Sequence, residues 1–130
     1  MKSVVLDTNL LIRLFEKKVF LPEDFTRYDG ILLPATVLGE YRAGLFNTKR
    51  GEENKRKLAY YLSKSSVSTV PVTDRTAELY AKVYQALRKE GTPIPQNDMW
   101  IAASALEHGA DLATQDDHFR HVPLLTVIVL

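Results

Sequence analysis

Short, continuous apolar runs alternate along this chain with longer segments whose apolar residues recur every three or four positions. The first run, Val4-Val5-Leu6, offers no polar residue to solvent, the pattern of a strand buried on both faces. Ile31-Leu32-Leu33 repeats it, Val67 to Val72 alternates, and Leu112-Ala113-Thr114 and Leu125 to Leu130 supply two more strands. Helical spacing predicts a helix over Leu10 to Phe15, capped by Thr8 or Asn9. A second helix follows Pro34 and carries Val37, Leu38, Tyr41 and Leu45 on one stripe. Between these two, a short helix is predicted around Leu21 to Asp24 and a turn at Tyr28-Asp29-Gly30. Asn47 to Asn54 reads as a loop leading to a helix near Arg56 to Lys64. Thr73 or Asp74 caps a long helix over Arg75 to Glu90, with Leu79, Val83, Ala86 and Leu87 on one face. Pro93 and Pro95 stiffen the connector after Gly91, and the apolar helix Asp98 to Glu107 ends at His108-Gly109. Strands alternating with helices predict an α/β fold with a mostly parallel central sheet, in one domain spanning residues 1–130.

Composition narrows the function classes. With 130 residues, 45% apolar and 25% charged, the chain has the makeup of one soluble globular domain. No apolar run approaches the roughly 20 residues of a membrane span, and Met1-Lys2-Ser3 leads straight into the first strand. The expectation is a cytoplasmic protein with no leader and no membrane partner. The absence of cysteine removes disulfides and thiolate metal sites. A formal net charge of +1 gives no global attraction for nucleic acid. The basic cluster Lys49, Arg50, Lys55, Arg56 and Lys57 is interrupted by Glu52 and Glu53 and reads as a solvated helix hairpin before a phosphate-binding patch. Phe46, Tyr60, Tyr61 and Trp100 read as core, and His118 and His121 as exposed loop residues.

Four acids carry the chemistry. Asp7 ends the first strand, Glu40 sits within an otherwise apolar helix, Asp98 opens another and Asp116 follows the Ala110 to Thr114 run. In parallel sheets ligands bind beyond the carboxyl ends of the strands, so acids so distant in sequence can converge there. Each has another use available: Asp7 or Asp98 as a helix cap, Asp116 in a turn with Asp117 as its rival, Glu40 on a solvated face. Together they form a costly group, since two carboxylates about 5 Å apart repel by roughly 3 kcal/mol at an effective dielectric near 20. A hard divalent cation removes that cost and takes oxygen ligands by preference.

Val4-Val-Leu-Asp-Thr-Asn9, Glu40-Tyr-Arg-Ala-Gly44, Asn97-Asp-Met-Trp-Ile-Ala-Ala-Ser-Ala105 and Leu112-Ala-Thr-Gln-Asp-Asp-His-Phe119, in that order, resemble a PIN domain, and in particular the VapC-type toxin ribonucleases. The resemblance covers essentially the whole chain. It implies a three-layer α/β/α fold and an endoribonuclease dependent on Mg²⁺ or Mn²⁺, with Asp7, Glu40, Asp98 and Asp116 as catalytic metal ligands. Asp116 is preferred over Asp117 because the family pattern places an acid two after the threonine and three before the phenylalanine. Thr8, Asn9 and Thr114 are candidates to support the carboxylates. The implied reaction is attack of metal-activated water on an RNA phosphodiester, leaving a 5′-phosphate and a 3′-hydroxyl. A cognate antitoxin protein and a homodimer are implied as partners. The alternatives are a non-catalytic binding module of this fold and a nuclease of RNA processing. A phosphatase of the haloacid-dehalogenase type is disfavoured, because it needs a second aspartate where Asn9 stands.

Overall fold

The computed structural model describes residues 2–17 and 23–130. Five strands, β1 (Ser3–Leu6), β2 (Gly30–Pro34), β3 (Val67–Val70), β4 (Asp111–Thr114) and β5 (Val127–Val129), form one sheet in the order β3-β2-β1-β4-β5. Every pairing is parallel, with Val5 opposite Leu32 on one side and Leu112 on the other. The expected strands are all present, and the sheet is wholly rather than mostly parallel.

β1 is central, and Val4, Val5 and Leu6 are completely buried, as their continuous apolar run requires. β3 and β5 lie at the edges, which explains a departure from expectation. β3 ends at Val70 and does not alternate: Val67 and Val70 are buried while Ser68 and Thr69 both face solvent. An edge strand is covered on one side only, so a strict two-residue period is not enforced.

Five helices make the crossovers: α1 (Thr8–Phe15), α2 (Ala35–Leu45), α3 (Gly51–Leu62), α4 (Asp74–Glu90) and α5 (Gln96–Glu107). Right-handed crossovers in this strand order set α1 to α3 on one face and α4 with α5 on the other, giving the three layers. Single 3-10 turns cover Glu23–Arg27 and Asp117–His121. Of the short helix expected around Leu21 to Asp24, Leu21 and Pro22 lie outside the described residues.

Several boundaries differ from the sequence reading. α1 is capped by Asp7, not Thr8 or Asn9, its side chain accepting from Leu10 N. α3 begins at Gly51, so half of the expected loop is helix. α5 begins two residues early with Pro95 at the cap position, leaving Asp98 in its first turn. α4 carries a full capping box built on Thr73 and Thr76. Phe46 and Tyr60, expected in the core, are 90% and 68% exposed, whereas Tyr61 packs edge-on against Phe15. Trp100 is half-buried and stacked on Tyr80. Lys57 pairs with Glu53 along α3, as a solvated hairpin would have it.

Candidate active site

In this strand order the chain runs outward from β1 through β2 to β3, then returns to β4 on β1's other side. The crevice beyond the carboxyl ends of β1 and β4 is therefore the switch point where parallel sheets hold ligands. Asp7 leaves β1 directly into this crevice, its own N–H bonded to Ala113 O of β4. Asp116 stands two residues beyond the end of β4. Asp98, in the first turn of α5, and Glu40, in the second turn of α2, come in from either face.

Asp7 is the most enclosed, with only 4% of its surface exposed. Its Oδ1 accepts from Leu10 N at 2.9 Å and its Oδ2 from the Thr114 hydroxyl at 2.5 Å. Burial pushes its carboxyl above the usual aspartate range; the two donors work against that, and the nearby Asp116 charge adds to it. Asp98 is also raised, chiefly by burial, opposed by His118 and reinforced by the Asp7 and Glu40 charges. These mutual influences tie the four acids into one electrostatic group. Asp116 and Glu40 are exposed rather than half-buried, Asp116 with 48% of its side chain open.

Neutral donors hold the outer acids. Thr8 Oγ1 donates to Glu40 Oε1 at 2.9 Å, and Asn97 Nδ2 to Glu40 Oε2 at 2.8 Å. Thr114 Oγ1 serves twice, also accepting from Asp116 N at 3.0 Å. Of the three expected supports, Thr8 and Thr114 touch a carboxylate. Among the described residues Asn9 meets no carboxylate: it lines an open groove of about 580 Å³ beside Asp7 and Asp116, together with Arg13, Gln115 and Asp117. Among the described residues no Lys or Arg forms an ion pair with any of the four acids.

Two residues were missed. Asn97 enters the sequence reading only as part of the Asn97 to Ala105 motif, but its place beside Asp98 in a first turn aims it at Glu40. His118 was expected in an exposed loop. Instead the 3-10 turn places its Nε2 3.0 Å from Asp98 Oδ2 and its Nδ1 2.9 Å from Asp116 Oδ2. Its position two after Asp116 and one before the buried Phe119 was the available signal. His121 is exposed as expected.

An all-oxygen donor set with spare lone pairs fits a hard divalent cation. Among the described residues no three of these side chains already surround one ion position.

Comparison with known proteins agrees with this architecture. The family model "PIN domain" matches residues 4–125. Ribonuclease VapC4 of Mycobacterium tuberculosis is 30% identical over 129 residues, covering 99% of this chain and 98% of its own. Ribonuclease VapC5 of the same organism is 31% identical over 121 residues, covering 88% and 84%. The structure of VapBC2 from Rickettsia felis, bound to a DNA fragment from its promoter, superposes with a TM-score of 0.84 at 25% identity over 98% of both chains. With the match spanning nearly every strand and all four acids, the chain belongs to the PIN-domain family.

Proposed function

We infer that this chain, as one PIN domain over residues 1–130, is an endoribonuclease that hydrolyses RNA phosphodiester bonds with the help of Mg²⁺ or Mn²⁺. We read it as the toxin of a toxin–antitoxin pair. The observation that carries the reading is the group of four acids at the β1–β4 switch point, held by hydroxyls, an amide and an imidazole and, among the described residues, paired with no lysine or arginine. Its relatives named Ribonuclease VapC support the same activity.

Asp7, Glu40, Asp98 and Asp116 are the residues that would hold the ion. Such an ion supplies a more acidic water and offsets charge developing at phosphorus. The chain's own part is placement. Leu10 N and Thr114 fix both oxygens of Asp7, while Thr8 and Asn97 fix both oxygens of Glu40, so these carboxylates are oriented before substrate arrives. The groove beside Asp7 and Asp116 carries Arg13 on its wall, which offers a phosphate contact. Attack by water with departure of the 3′-oxygen leaves a 5′-phosphate and a 3′-hydroxyl.

Solved relatives are VapBC complexes, which supports an antitoxin as partner. For the homodimer, the surface we assign to a second copy is the α4–α5 groove lined by Tyr80, Tyr84, Leu87, Pro93, Ile94 and Met99. Among the described residues no helix is long and apolar enough to cross a membrane; we read the protein as cytoplasmic, where it would meet an RNA substrate.

The test is cleavage of total cellular RNA by purified protein with Mn²⁺ or Mg²⁺, with chelator, and as Asp7→Asn. Cuts that require metal and vanish in the variant are expected. Metal-independent cutting, or products ending in a 2′,3′-cyclic phosphate, would overturn the mechanism, because that end requires the RNA's own 2′-hydroxyl as nucleophile.

A further inference from the structure

We propose that His118 is a positioning residue of the acidic centre, a clamp that sets the spacing between Asp98 and Asp116 and so the affinity of the site for its ion. The role rests on the nuclease reading above and extends it to a residue outside the four acids.

Asp98 and Asp116 come from different elements, the first turn of α5 and the loop after β4. His118 is the side chain among the described residues that contacts both: Nε2 lies 3.0 Å from Asp98 Oδ2 and Nδ1 lies 2.9 Å from Asp116 Oδ2. The clamp is itself anchored. His118 N donates to Asp116 Oδ1 at 3.1 Å, locking the start of the 3-10 turn to the acid it serves. The ring packs against Phe119, centroids 4.7 Å apart, and Phe119 is wholly buried. Only 27% of the His118 side chain is exposed, so its rotamers are restricted.

The geometry argues against direct ligation. Both ring nitrogens already lie within hydrogen-bond distance of a carboxylate, so neither is left to face an ion. Asp98 Oδ1, by contrast, meets no donor among the described residues, and each carboxylate oxygen carries a second lone pair. Ligating carboxylates are ordinarily hydrogen-bonded from behind, and loss of such a partner costs about 10–100-fold in metal affinity. Without His118 the exposed Asp116 would keep its turn but lose its tie to Asp98.

The experiment measures Mn²⁺ binding by calorimetry and by electron paramagnetic resonance, without RNA, for wild type, His118→Ala, His118→Gln and His121→Ala. We expect His118→Ala to bind about 10-fold more weakly. His118→Gln, whose amide reaches toward Asp98, should recover part of that loss, and His121→Ala, on the same turn but exposed, should match wild type. Electron spin-echo spectra of the wild-type Mn²⁺ complex should lack the coupling of a directly bound imidazole nitrogen. Unchanged or tighter binding by His118→Ala overturns the proposal, the latter showing that the histidine competes with the ion. A bound-nitrogen signal also overturns it, making His118 a ligand. If His118→Ala fails to fold, His118→Gln carries the comparison, and wild-type affinity there counts against the clamp. Failure of the wild type to bind Mn²⁺ removes the metal centre itself and is distinct from a failure confined to the variants.

Discussion

Thr114 offers the sharpest test of how the acidic centre is built. It is wholly buried, and its one hydroxyl donates to Asp7 Oδ2 at 2.5 Å while accepting from Asp116 N at 3.0 Å. Thr114→Val keeps the shape and removes both bonds. A hydrogen bond to a charged group contributes about 1.5–3 kcal/mol, and a half-buried N–H left without a partner costs about 1 kcal/mol more. The expected loss is therefore about 2–4 kcal/mol, or roughly 10 °C in Tm for a chain of this size. Thr114→Ser is the control: it keeps the hydroxyl, loses one methyl and should cost about 1 kcal/mol. Urea unfolding in chelator gives both numbers. In an Asp7→Asn background the valine substitution should cost about 1–2 kcal/mol less, because the acceptor is no longer charged. If serine proves as damaging as valine, the residue acts through packing and the proposed tether is refuted.

Three further expectations follow from the same structure. Asp7 and Asp98 are raised, so protons compete with the ion to a higher pH than at ordinary carboxylates; Mn²⁺ affinity by calorimetry should go on climbing as pH rises above the ordinary aspartate value of 3.8, and a flat profile there would contradict the raised values. Phe119→Ala should cost about 3–5 kcal/mol in urea unfolding and loosen the turn that carries His118, whereas a loss under about 1 kcal/mol would show that the turn does not depend on its buried ring. At Gly51 an added Cβ would lie 2.5 Å from Leu45 O, so Gly51→Ala should destabilise by about 1–3 kcal/mol despite alanine's better helix propensity; a stabilised variant would mean that the α2–α3 turn yields.

Asp7 and the central strand were legible because three consecutive apolar residues followed by an acid leave few alternatives in a parallel sheet. Asp116 was preferred over Asp117 only through the family pattern; in the structure the Asp116 charge acts on Asp7. What the sequence hid depends on tertiary position. The start of α3 was masked by Gly51, a residue that weakens helices, yet here it is the one that fits beneath the Leu45 carbonyl. Asp98 was read as opening its helix, although the chain turns into α5 already at Pro95. The imidazole of His118 meets Asp98 across 20 residues, a contact that no local period encodes. Phe46 was assigned to the core on hydrophobicity alone, and its 90% exposure shows that hydrophobicity does not fix which way a helix end faces.

The two ends of the sheet show what is unusual about the acidic one. Asp111, at the amino end of β4, is as buried as Asp7, each with 4% of its surface exposed. Asp111 is matched by permanent partners: Lys2 Nζ at 3.0 Å supplies the opposite charge and the Tyr28 hydroxyl donates at 2.6 Å. Among the described residues Asp7 has donors but no lysine or arginine partner, and it has other acids for neighbours. Neutralising each should therefore move stability in opposite directions. Asp111→Asn leaves Lys2 and Tyr28 facing an amide and should cost about 1–3 kcal/mol. Asp7→Asn keeps an acceptor for Leu10 N and removes a repelled charge, so in chelator it should stabilise by about 1 kcal/mol. The sign of the pH dependence is set by the raised carboxyl. Its favourable contribution is complete below the ordinary aspartate value of 3.8 and is lost as pH rises through the folded value, so the advantage of Asp7→Asn should open over that interval. Added Mn²⁺ should close the gap by stabilising wild type alone. Destabilisation by Asp7→Asn in chelator would mean that this acid is held for the fold and not for an ion.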